Sequence, residues 1–355
     1  RLEVNSGEYG DGETTKEASV YEGNLAVTAL YSYGTLNINY INTVEDLQNM
    51  GQDGYYVLNA DLDLSGINWT PLSSFNGYFD GNGHVISGLT IEEITNNTDD
   101  RRYGLFERNN GYITNLGLEE LSINILSLNS GSHTYYVGGI SGENRGIIVR
   151  SYVVGKIHVE NTPYVIVGGI SGTGYNGIIK EVYTKGEMII NAKYYAYVGG
   201  IFGESKTTIS NSYSEMDIQV NSGDYAYVGG ISGQIGSGKV DNVYFTGEIN
   251  LESSGIYGAI GGYFNNTSLN NVFGLGYYLF GEIGDMTVKN TYLIGESRSI
   301  NGYYSQYRSY FEITGFDSLA ELDFSLLGWQ ESVWDFTTET PTLIALDNTP
   351  TYTAQ

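Results

Sequence analysis

Several short motifs in this sequence contain residue types that carry chemistry in other proteins. The segment Gly233–Lys239 has the glycines and the lysine of a phosphate-binding loop, but Val240 follows where a Ser or Thr must bind Mg²⁺. The segment also leads into a predicted strand, so no helix N-terminus would face a phosphate. We therefore predict a glycine turn between two strands and no nucleotide site.

Three copies of a Gly-Ile-Ser-Gly motif place a serine between glycines, at Ser141, Ser171 and Ser232. A nucleophile elbow needs Gly-x-Ser-x-Gly at a strand-to-helix turn, and several parallel copies would not build one active site. The sequence also has three histidines, which are His84, His133 and His158. None of them has the spacing of metal ligands, so we interpret each as a turn or surface residue.

Two carboxylate pairs are further candidates for chemistry. Asp61 and Asp63 alternate with leucines and share one face of a strand, whereas Asp99 and Asp100 are adjacent in a loop. Either pair could bind Ca²⁺ or take part in acid–base catalysis. Nothing in the sequence fixes a partner carboxylate in space, so solvated side chains are the simpler interpretation. We predict no catalytic residue and no required cofactor, and Ca²⁺ binding stays open.

The motif Val-Gly-Gly-Ile recurs along the middle of the chain. We place the first glycines of its copies, including degenerate ones at each end, at Gly104, Gly138, Gly168, Gly199, Gly229 and Gly261. The four later steps are 30 to 32 residues long. A fixed step of this size indicates stacked supersecondary units, and a propeller blade would need about 40 residues or more. Each unit has three short strand candidates, which fits one coil of a parallel β-helix.

Tyrosines recur immediately before these glycines. Positions one and three residues before the glycine are mostly aliphatic or small, so we expect them to point inward. Positions two and four residues before it have the opposite strand parity and are rich in tyrosine, so we expect them on the outer face. The tyrosines that we predict to bind ligand there are Tyr136, Tyr164, Tyr195, Tyr197, Tyr225, Tyr227 and Tyr257.

Such a stripe of phenol rings suits stacking on sugar rings or gripping a protein surface. Two other interpretations stay open. Tyrosine is a good strand former, so its rings could stack only for stability, or a terminal segment could cover the stripe. A separate aromatic column follows later in each unit and is consistent with core filling; its members are Tyr152, Tyr183, Tyr213, Tyr244 and Phe273.

The flanks of the repeats set the predicted domain organisation. Thr43 and Asp46 form a capping-box arrangement at the start of a short helix up to Met50, which could close the open end of a stacked β structure. A second short helix is predicted over Ser318–Phe324. The predicted segments are an N-terminal arm with flanking strands (1–40), a β-helix domain (41–346) and a tail (347–355). Within the domain we distinguish regular coils (103–264), irregular Tyr-rich loops (274–311) and a C-terminal cap (316–346).

The composition narrows the classes of partner. The chain of 355 residues has 49 Gly, 33 Tyr, only 4 Pro and no Cys, which fits an all-β protein with many tight turns. Its net charge of −25 argues against binding to nucleic acid or anionic lipid. No apolar run reaches 18 residues, so we expect no membrane insertion. The chain begins at Arg1 without a signal peptide, which indicates a mature or excised fragment.

The repeated Gly-Gly-Ile-Ser-Gly element resembles the GLUG repeat of bacterial surface adhesins, which also occurs in non-catalytic regions of IgA1-protease-type metallopeptidases. The strand Tyr56–Leu64 and the turn Asp80–His84 look like the entry of such domains, and Leu327–Trp334 with Pro341–Leu343 looks like their exit. The resemblance covers roughly residues 41–346. It implies a right-handed parallel β-helix and a surface or adhesive role. It implies no catalytic residue, because the zinc motif His-Glu-x-x-His is absent.

These observations lead to one preferred function and two alternatives. We expect a non-catalytic adhesin, monomeric and extracellular on a bacterial cell surface, that grips a polysaccharide such as cellulose or a host glycan or glycoprotein. The first alternative is a structural stalk or accessory region of a larger surface protein. The second is a polysaccharide lyase or hydrolase. That class generally needs basic residues for acidic substrates, and the 16 Lys and Arg are scattered along this sequence.

Overall fold

The structure is a computed structural model that describes residues 16–22, 25–31, 37–128, 131–276, 278–284, 286–295, 314–338 and 340–346. Contacts divide the chain into two units, residues 1–38 and 39–355. In the first unit, β1 (Lys16–Glu22) and β2 (Leu25–Tyr31) form an antiparallel hairpin. β2 matches a predicted strand, whereas β1 lies in the segment where the sequence predicted only an arm.

The second unit begins with β3 (Ile38–Ile41) and the helix α1 (Val44–Gln48). Thr43 caps α1 as predicted: its Oγ1 accepts a hydrogen bond from the Asp46 amide at 3.1 Å, and the Thr43 amide donates to Asp46 Oδ2 at 3.0 Å. Leu47 is fully buried on the inner face of α1. The helix therefore packs its apolar side against the end of the β structure.

The rest of the second unit is a β-solenoid of about seven coils, in which nearly every strand pairs in parallel with a strand one coil away. The fold class predicted from the repeat is confirmed. The strands of the first coils are β4 (Tyr55–Leu58), β5 (Leu62–Asp63), β6 (Leu72–Phe75), β7 (Tyr78–Asp80), β8 (Val85–Ser87), β9 (Thr90–Thr95), β10 (Arg101–Tyr103), β11 (Phe106–Asn109), β12 (Tyr112–Thr114) and β13 (Gly117–Ser127).

The central strands are β14 (Thr134–Gly138), β15 (Ser141–Asn144), β16 (Ile147–Gly168), β17 (Ser171–Gly199), β18 (Phe202–Ser222), β19 (Tyr225–Gly229), β20 (Ser232–Ile235), β21 (Gly238–Phe245), β22 (Ile249–Leu251), β23 (Gly255–Gly258), β24 (Gly261–Phe264) and β25 (Thr267–Leu275). Three of the central strands, β16, β17 and β18, are long because they continue around corners of the coil.

Two further strands, β26 (Phe280–Ile283) and β27 (Met286–Ile294), pair in parallel with β24 and β25. The sequence predicted irregular loops over this stretch, so the coil pattern extends further than expected. Its period was lost from the sequence because the last coil is shorter. The last part of the predicted loop region, residues 296–311, lies outside the described residues.

One corner of the coil places a residue in the left-handed region, with φ between 45° and 56°. Asparagine tolerates this conformation better than most residues, and it occupies five of the seven positions. Asn242 donates to Asn211 and Asn271 donates to Asn242, each at 2.8 Å between Nδ2 and Oδ1. The column is Asn115, Arg150, Glu181, Asn211, Asn242, Asn271 and Asn290.

The inward positions predicted before each glycine are confirmed for the four central copies. Val137, Val167, Val198 and Val228 are fully buried. Tyr135, Val165, Ala196 and Ala226, two residues earlier, are buried with them. The degenerate copy at Gly104 is also in register, because Tyr103 pairs with Val137.

The last predicted copy is misaligned by three residues. Gly229 pairs with Gly258, not with Gly261, which pairs with Ser232. The true copy is therefore Gly258-Ala259-Ile260, in which the amide of Ile231 donates to the carbonyl of Ile260 at 3.0 Å. Two neighbouring glycine-containing segments offered two alignments, and the interior position of Ile260 under Ile231 selects the one found.

The chain ends in a C-terminal cap (residues 316–346). It follows β28 (Thr314–Phe316) and contains β29 (Trp334–Asp335) paired antiparallel with β30 (Thr342–Leu343). The helix predicted over Ser318–Phe324 appears as 3₁₀ turns at Leu319–Glu321 and Phe324–Leu327, with a third at Ile344–Leu346. Within the described ranges, no helix has the length and apolarity needed to cross a membrane.

Candidate functional site

The predicted tyrosine stripe lies on one sheet of the solenoid, which we call the tyrosine sheet. Its segments are Arg101–Tyr103, Thr134–Gly138, 164–168, 195–199, Tyr225–Gly229 and Gly255–Gly258. Two outer columns run along it with steps of about 4.8 Å. The first column is Arg102, Tyr136, Ile166, Tyr197, Tyr227 and Ile256, and the second is Thr134, Tyr164, Tyr195 and Tyr225.

The rings in these columns stack on one another. Tyr164 and Tyr195 are nearly parallel with centroids 5.8 Å apart, and Tyr197 and Tyr227 are nearly parallel at 5.2 Å. Tyr225 tilts toward Tyr227 at 5.1 Å and joins the two columns. Tyr195 is 39% exposed and the other predicted tyrosines of the columns are partly exposed, while Ile166 is buried. The stripe is therefore an aromatic surface that water can reach.

Tyr257 does not belong to these columns, contrary to the prediction. It pairs with Val228, an inward position, and it packs partly buried against the core. Its ring meets Tyr278 edge-on at 5.5 Å. The error follows from the misaligned last copy, which shifted Tyr257 onto the outer face. We therefore remove Tyr257 from the candidate site.

A second sheet meets the tyrosine sheet just after the repeated glycines. Its segments are Leu72–Phe75, Phe106–Asn109, Ser141–Asn144, 171–174, 202–205, Ser232–Ile235, Gly261–Phe264 and Phe280–Ile283. A Cβ added at Gly172 would lie 2.6 Å from the Val137 nitrogen, and one at Gly233 would lie 2.6 Å from the Val198 nitrogen. The outer side of the second sheet thus touches the backbone of the tyrosine sheet, so the outer faces meet at a concave angle.

This concave angle forms what we call the corner groove. One wall is the first column of the tyrosine sheet, and the other is an outer column of the second sheet. Side chains cross between the walls at two levels: Arg102 donates to Glu143, and the ring of Tyr227 meets that of Tyr263 at 5.9 Å. The second wall consists of Arg108, Glu143, Thr173, Glu204, Gln234, Tyr263 and Glu282.

Partial burial in the groove affects its titratable groups. Burial raises the pKa of Tyr197, and the neighbouring Tyr227 and Glu204 raise it further. Burial likewise raises the pKa of Tyr227, with Glu282 adding to the effect. Both phenols therefore stay neutral at physiological pH and can donate as well as accept hydrogen bonds. Burial also raises the pKa of Glu204, against the opposing effect of Lys206.

Three arginines converge on Glu143 at the N-terminal end of the groove. Glu143 Oε2 accepts from Arg102 Nε at 2.7 Å, from Arg108 Nε at 3.0 Å and from Arg108 Nη2 at 2.9 Å. Arg145 Nε donates to the other oxygen, Oε1. Burial opposes ionisation of Glu143, but these hydrogen bonds outweigh it and hold the pKa of the carboxyl below its usual value.

Sequence reasoning missed this second wall because its residues vary from coil to coil. The available signal was positional. Glu143 and Glu204 both stand three residues after the conserved isoleucine of their copies, at Ile140 and Ile201. The scattered basic residues are likewise gathered by the fold, because Arg102 and Arg108 lie one coil before Arg145.

The separate aromatic column lies on a different face and is covered. Neighbouring rings of Tyr152, Tyr183, Tyr213, Tyr244 and Phe273 stack at 4.7 to 5.1 Å. The C-terminal cap packs over this column with Trp329 and Trp334. Tyr244 donates its hydroxyl hydrogen to the Pro341 carbonyl at 2.7 Å, and Trp329 Nε1 donates to the Asn271 carbonyl at 3.1 Å. Among the described residues, the C-terminal cap thus covers this column and not the predicted stripe.

The other candidate motifs have structural roles. Gly233–Lys239 runs from β20 through a turn at residues 236–237 into β21, with no helix after it, as predicted, and Lys239 pairs with Asp241 at 2.8 Å. Ser141 and Ser171 are buried and hydrogen-bonded to each other at 3.1 Å.

One histidine prediction is wrong. His84 and His158 are partly exposed, but His133 is only 1% exposed and lies beside Tyr135, with ring centroids 5.0 Å apart. Neither ring nitrogen of His133 has a hydrogen-bond partner among the described residues, and burial lowers its pKa. His133 immediately precedes β14, and its packing beside Tyr135 buries it despite its polar character.

The aspartate pairs do not form a shared site. Asp61 accepts hydrogen bonds from the Val85 amide and from His84, each at 3.0 Å, and these lower its pKa. Asp63 accepts from the Ser65 amide at 2.9 Å. Over the ranges that the structure covers, no group of three or more His, Asp or Glu side chains could hold a metal ion.

Comparison with known proteins supports the fold. The sequence matches no protein-family model and no curated protein. It is similar in structure to a putative immunoglobulin A1 protease from Bacteroides ovatus, with a TM-score of 0.53, 19% identity, and coverage of 87% of this chain and 92% of that one. An IgA1 protease aligns with a TM-score of 0.48 and 17% identity over 99% of this chain, which spans 30% of that protein.

The similarity to the Bacteroides ovatus structure, at this low identity, establishes the fold alone. The Bacteroides ovatus structure is named as a putative immunoglobulin A1 protease, the class that the sequence resemblance also named. Membership of the GLUG repeat family stays a prediction, since no family model matches.

Proposed function

We propose that this protein is a non-catalytic binding module that holds a sugar polymer, either a polysaccharide or the glycan of a glycoprotein, in the corner groove. The observation that carries the proposal is the set of partly exposed, stacked tyrosines that line the corner groove and the second outer column beside it. Because the stacked rings cover much of each other's faces, a sugar would contact their exposed edges, and their neutral hydroxyls can bond to sugar hydroxyls. We further propose an extracellular role on a bacterial surface, as an adhesin.

The test is retention on insoluble polysaccharides and immobilised glycoproteins, measured by depletion from solution with and without a Ca²⁺ chelator. Wild-type protein should be retained by at least one polymer. The variant with Tyr195, Tyr197, Tyr225 and Tyr227 replaced by Ala should lose most of this retention. Binding that is unchanged in this variant for every polymer would remove the groove from the proposal.

The chain offers a matched control for this test. Tyr55, Tyr78 and Tyr112 form another tyrosine stack on a different face, with centroids 4.3 and 5.0 Å apart. Replacing Tyr55 and Tyr112 by Ala removes stacked tyrosines without touching the groove, so retention should be unchanged. Equal losses in both variants would indicate unfolding, which circular dichroism would report.

The same samples separate this function from the two alternatives. A lyase or hydrolase would release soluble fragments or new reducing ends from the polymer, and we expect none. A structural stalk would show no polymer-dependent retention in the wild-type protein. Retention without product release is therefore the result that favours a binding module.

A further inference from the structure

The arginine cluster at the N-terminal end of the corner groove contains more guanidiniums than are needed to satisfy the hydrogen bonds of its central carboxylate. A single bidentate arginine can satisfy a carboxylate, yet three guanidiniums surround Glu143. The side chain of Glu143 is 2% exposed, whereas those of Arg102, Arg108 and Arg145 are 27%, 27% and 50% exposed. Glu143 thus balances only one of the three positive charges, and the guanidiniums reach solvent on a protein whose net charge is −25.

The arginines also keep unused hydrogen-bond donors. A guanidinium has five N–H groups. Toward Glu143, Arg102 and Arg145 each use only their Nε, and Arg108 uses Nε and Nη2. Glu143 therefore fixes the three guanidiniums in place while leaving most of their N–H groups for another acceptor.

The cluster is continuous with the tyrosine columns. Arg102 precedes Tyr136 in the first column, and its guanidinium carbon lies 5.0 Å from the centroid of the Tyr136 ring. Arg108 and Glu143 begin the opposite wall. A ligand that contacts Tyr136 would therefore bring its next group to the guanidiniums.

The groove changes charge along its length. Beyond the arginine end, the second wall continues with Thr173, Glu204, Gln234, Tyr263 and Glu282. Carboxylates there would repel a polymer that carries a negative charge on every sugar. The arrangement fits a chain with an anionic sugar at one end followed by neutral sugars.

We propose that Arg102, Arg108 and Arg145 form an anion subsite that binds the carboxylate of a terminal acidic sugar, with the adjoining neutral sugars lying on the tyrosines. This proposal rests on the proposed glycan-binding function. It identifies the ligand class as a glycan that ends in an acidic sugar, and it gives the glycan one direction in the groove. The Debye length of about 8 Å at physiological salt keeps the distant acidic surface from cancelling the local attraction.

The probe is a sialylated trisaccharide coupled to a neutral polymer, compared with the same conjugate after its carboxylate is converted to an amide. Wild-type protein should bind the carboxylate form roughly tenfold more tightly, since a charge-assisted bidentate contact is lost on amidation. The preference of the wild-type protein for the carboxylate conjugate over the amide should decrease as the salt concentration is raised. Polygalacturonate, with a carboxylate on every sugar, should bind more weakly than the trisaccharide conjugate.

Arg145→Gln is the principal variant, because Arg145 is the most exposed of the three and its loss should leave the fold intact. It should lose most of the preference for the carboxylate over the amide while keeping its affinity for the amide form. Arg102→Gln should act in the same direction. Lys239→Gln changes the net charge equally but lies outside the groove, and it should keep the full preference.

Equal binding of the two conjugates by the wild-type protein, binding of neither, or an unchanged preference in Arg145→Gln would overturn the anion subsite. Those results leave the proposed function standing if the four-tyrosine variant still loses its retention on polymers. Loss of the anion subsite and loss of the whole binding function are therefore separate outcomes.

Discussion

The solenoid has stacked tyrosines on two faces, the covered aromatic column and the outer columns of the tyrosine sheet. The stacks have similar internal geometry but different surroundings. In the covered column, rings stack at 4.7 to 5.1 Å beneath the tryptophans of the C-terminal cap. On the tyrosine sheet, rings stack at 5.2 to 5.8 Å and remain partly exposed. A tyrosine ladder by itself therefore indicates only a repeated strand position. Whether it stabilises the protein or contacts a ligand depends on what covers it.

The largest effect should follow from breaking the covered column at its centre. Tyr244→Ala removes a fully buried ring that stacks on Tyr213 and Phe273 and bonds to Pro341. We expect a loss of about 3–5 kcal/mol in the free energy of unfolding, typical of buried aromatic truncations. Chemical denaturation measures it. Tyr244→Phe should cost only about 1 kcal/mol, for the lost hydrogen bond.

The cap itself provides the next largest effect. Trp334 is buried, and its ring centroid lies 4.4 Å from that of Trp329 and 6.0 Å from that of Tyr244. Trp334→Ala should cost about 3 kcal/mol at most, because the cap can detach before the coils unfold. Detachment would expose the covered column.

Hydrophobic-dye binding and hydrogen exchange in the C-terminal segment would detect that detachment. Both should rise in Trp334→Ala, and the central strands should stay protected from exchange. Loss of protection throughout the coils would show that the cap and the solenoid unfold as one unit, which would contradict separate detachment of the cap.

Much of this architecture follows from the sequence, and the failures have physical causes. The inward valines and outer tyrosines were predictable because strand parity alternates strictly. Tyr257 was misplaced because glycines at 258, 261 and 262 permit two alignments that local sequence cannot distinguish. The corner groove was missed since it depends on the angle between two sheets, which is set by contacts between residues about 30 positions apart.

For the covered column, the residues were visible in the sequence but their contact with the cap was not. Its five aromatic residues were visible in the repeat, and so were Trp329 and Trp334 near the end of the chain. Nothing local connects them, because Tyr244 bonds to a carbonyl 97 residues away. Long-range packing of this kind has no periodic signal in the sequence.

A smaller effect on stability is expected in the groove. Tyr197→Ala removes a partly exposed ring that stacks on Tyr227, so we expect about 1 kcal/mol of destabilisation. Its effect on polymer retention should be much larger than that of Tyr244→Phe. The comparison between the columns fails if Tyr197→Ala costs as much stability as Tyr244→Ala.

The smallest expected effect is a pH-dependent change in stability, which reports how strongly the groove excludes water. Burial raises the pKa of Glu204, so its contribution to stability is fully present below the unfolded value of about 4.3 and is lost as pH rises through the folded value. Glu204→Gln removes the buried charge and should stabilise the protein at pH 7 by up to about 0.5 kcal/mol. This advantage should disappear near pH 4, as denaturation midpoints at both pH values would reveal.

Glu143 gives a control of opposite sign in the same column. Although burial opposes its ionisation, the arginines lower its pKa, so its stabilising effect is present above about pH 4.3 and is lost as pH falls through the folded value. Glu143→Gln should therefore destabilise the protein at pH 7, and the difference from wild type should shrink on acidification. Glu143 and Glu204 lie about two coils apart. Opposite pH responses of their variants would establish that the carboxylate is paired with arginines at one end of the groove and is partly buried without such pairing further along. If both variants respond alike, solvent screens the groove evenly, and its polarity cannot orient a ligand.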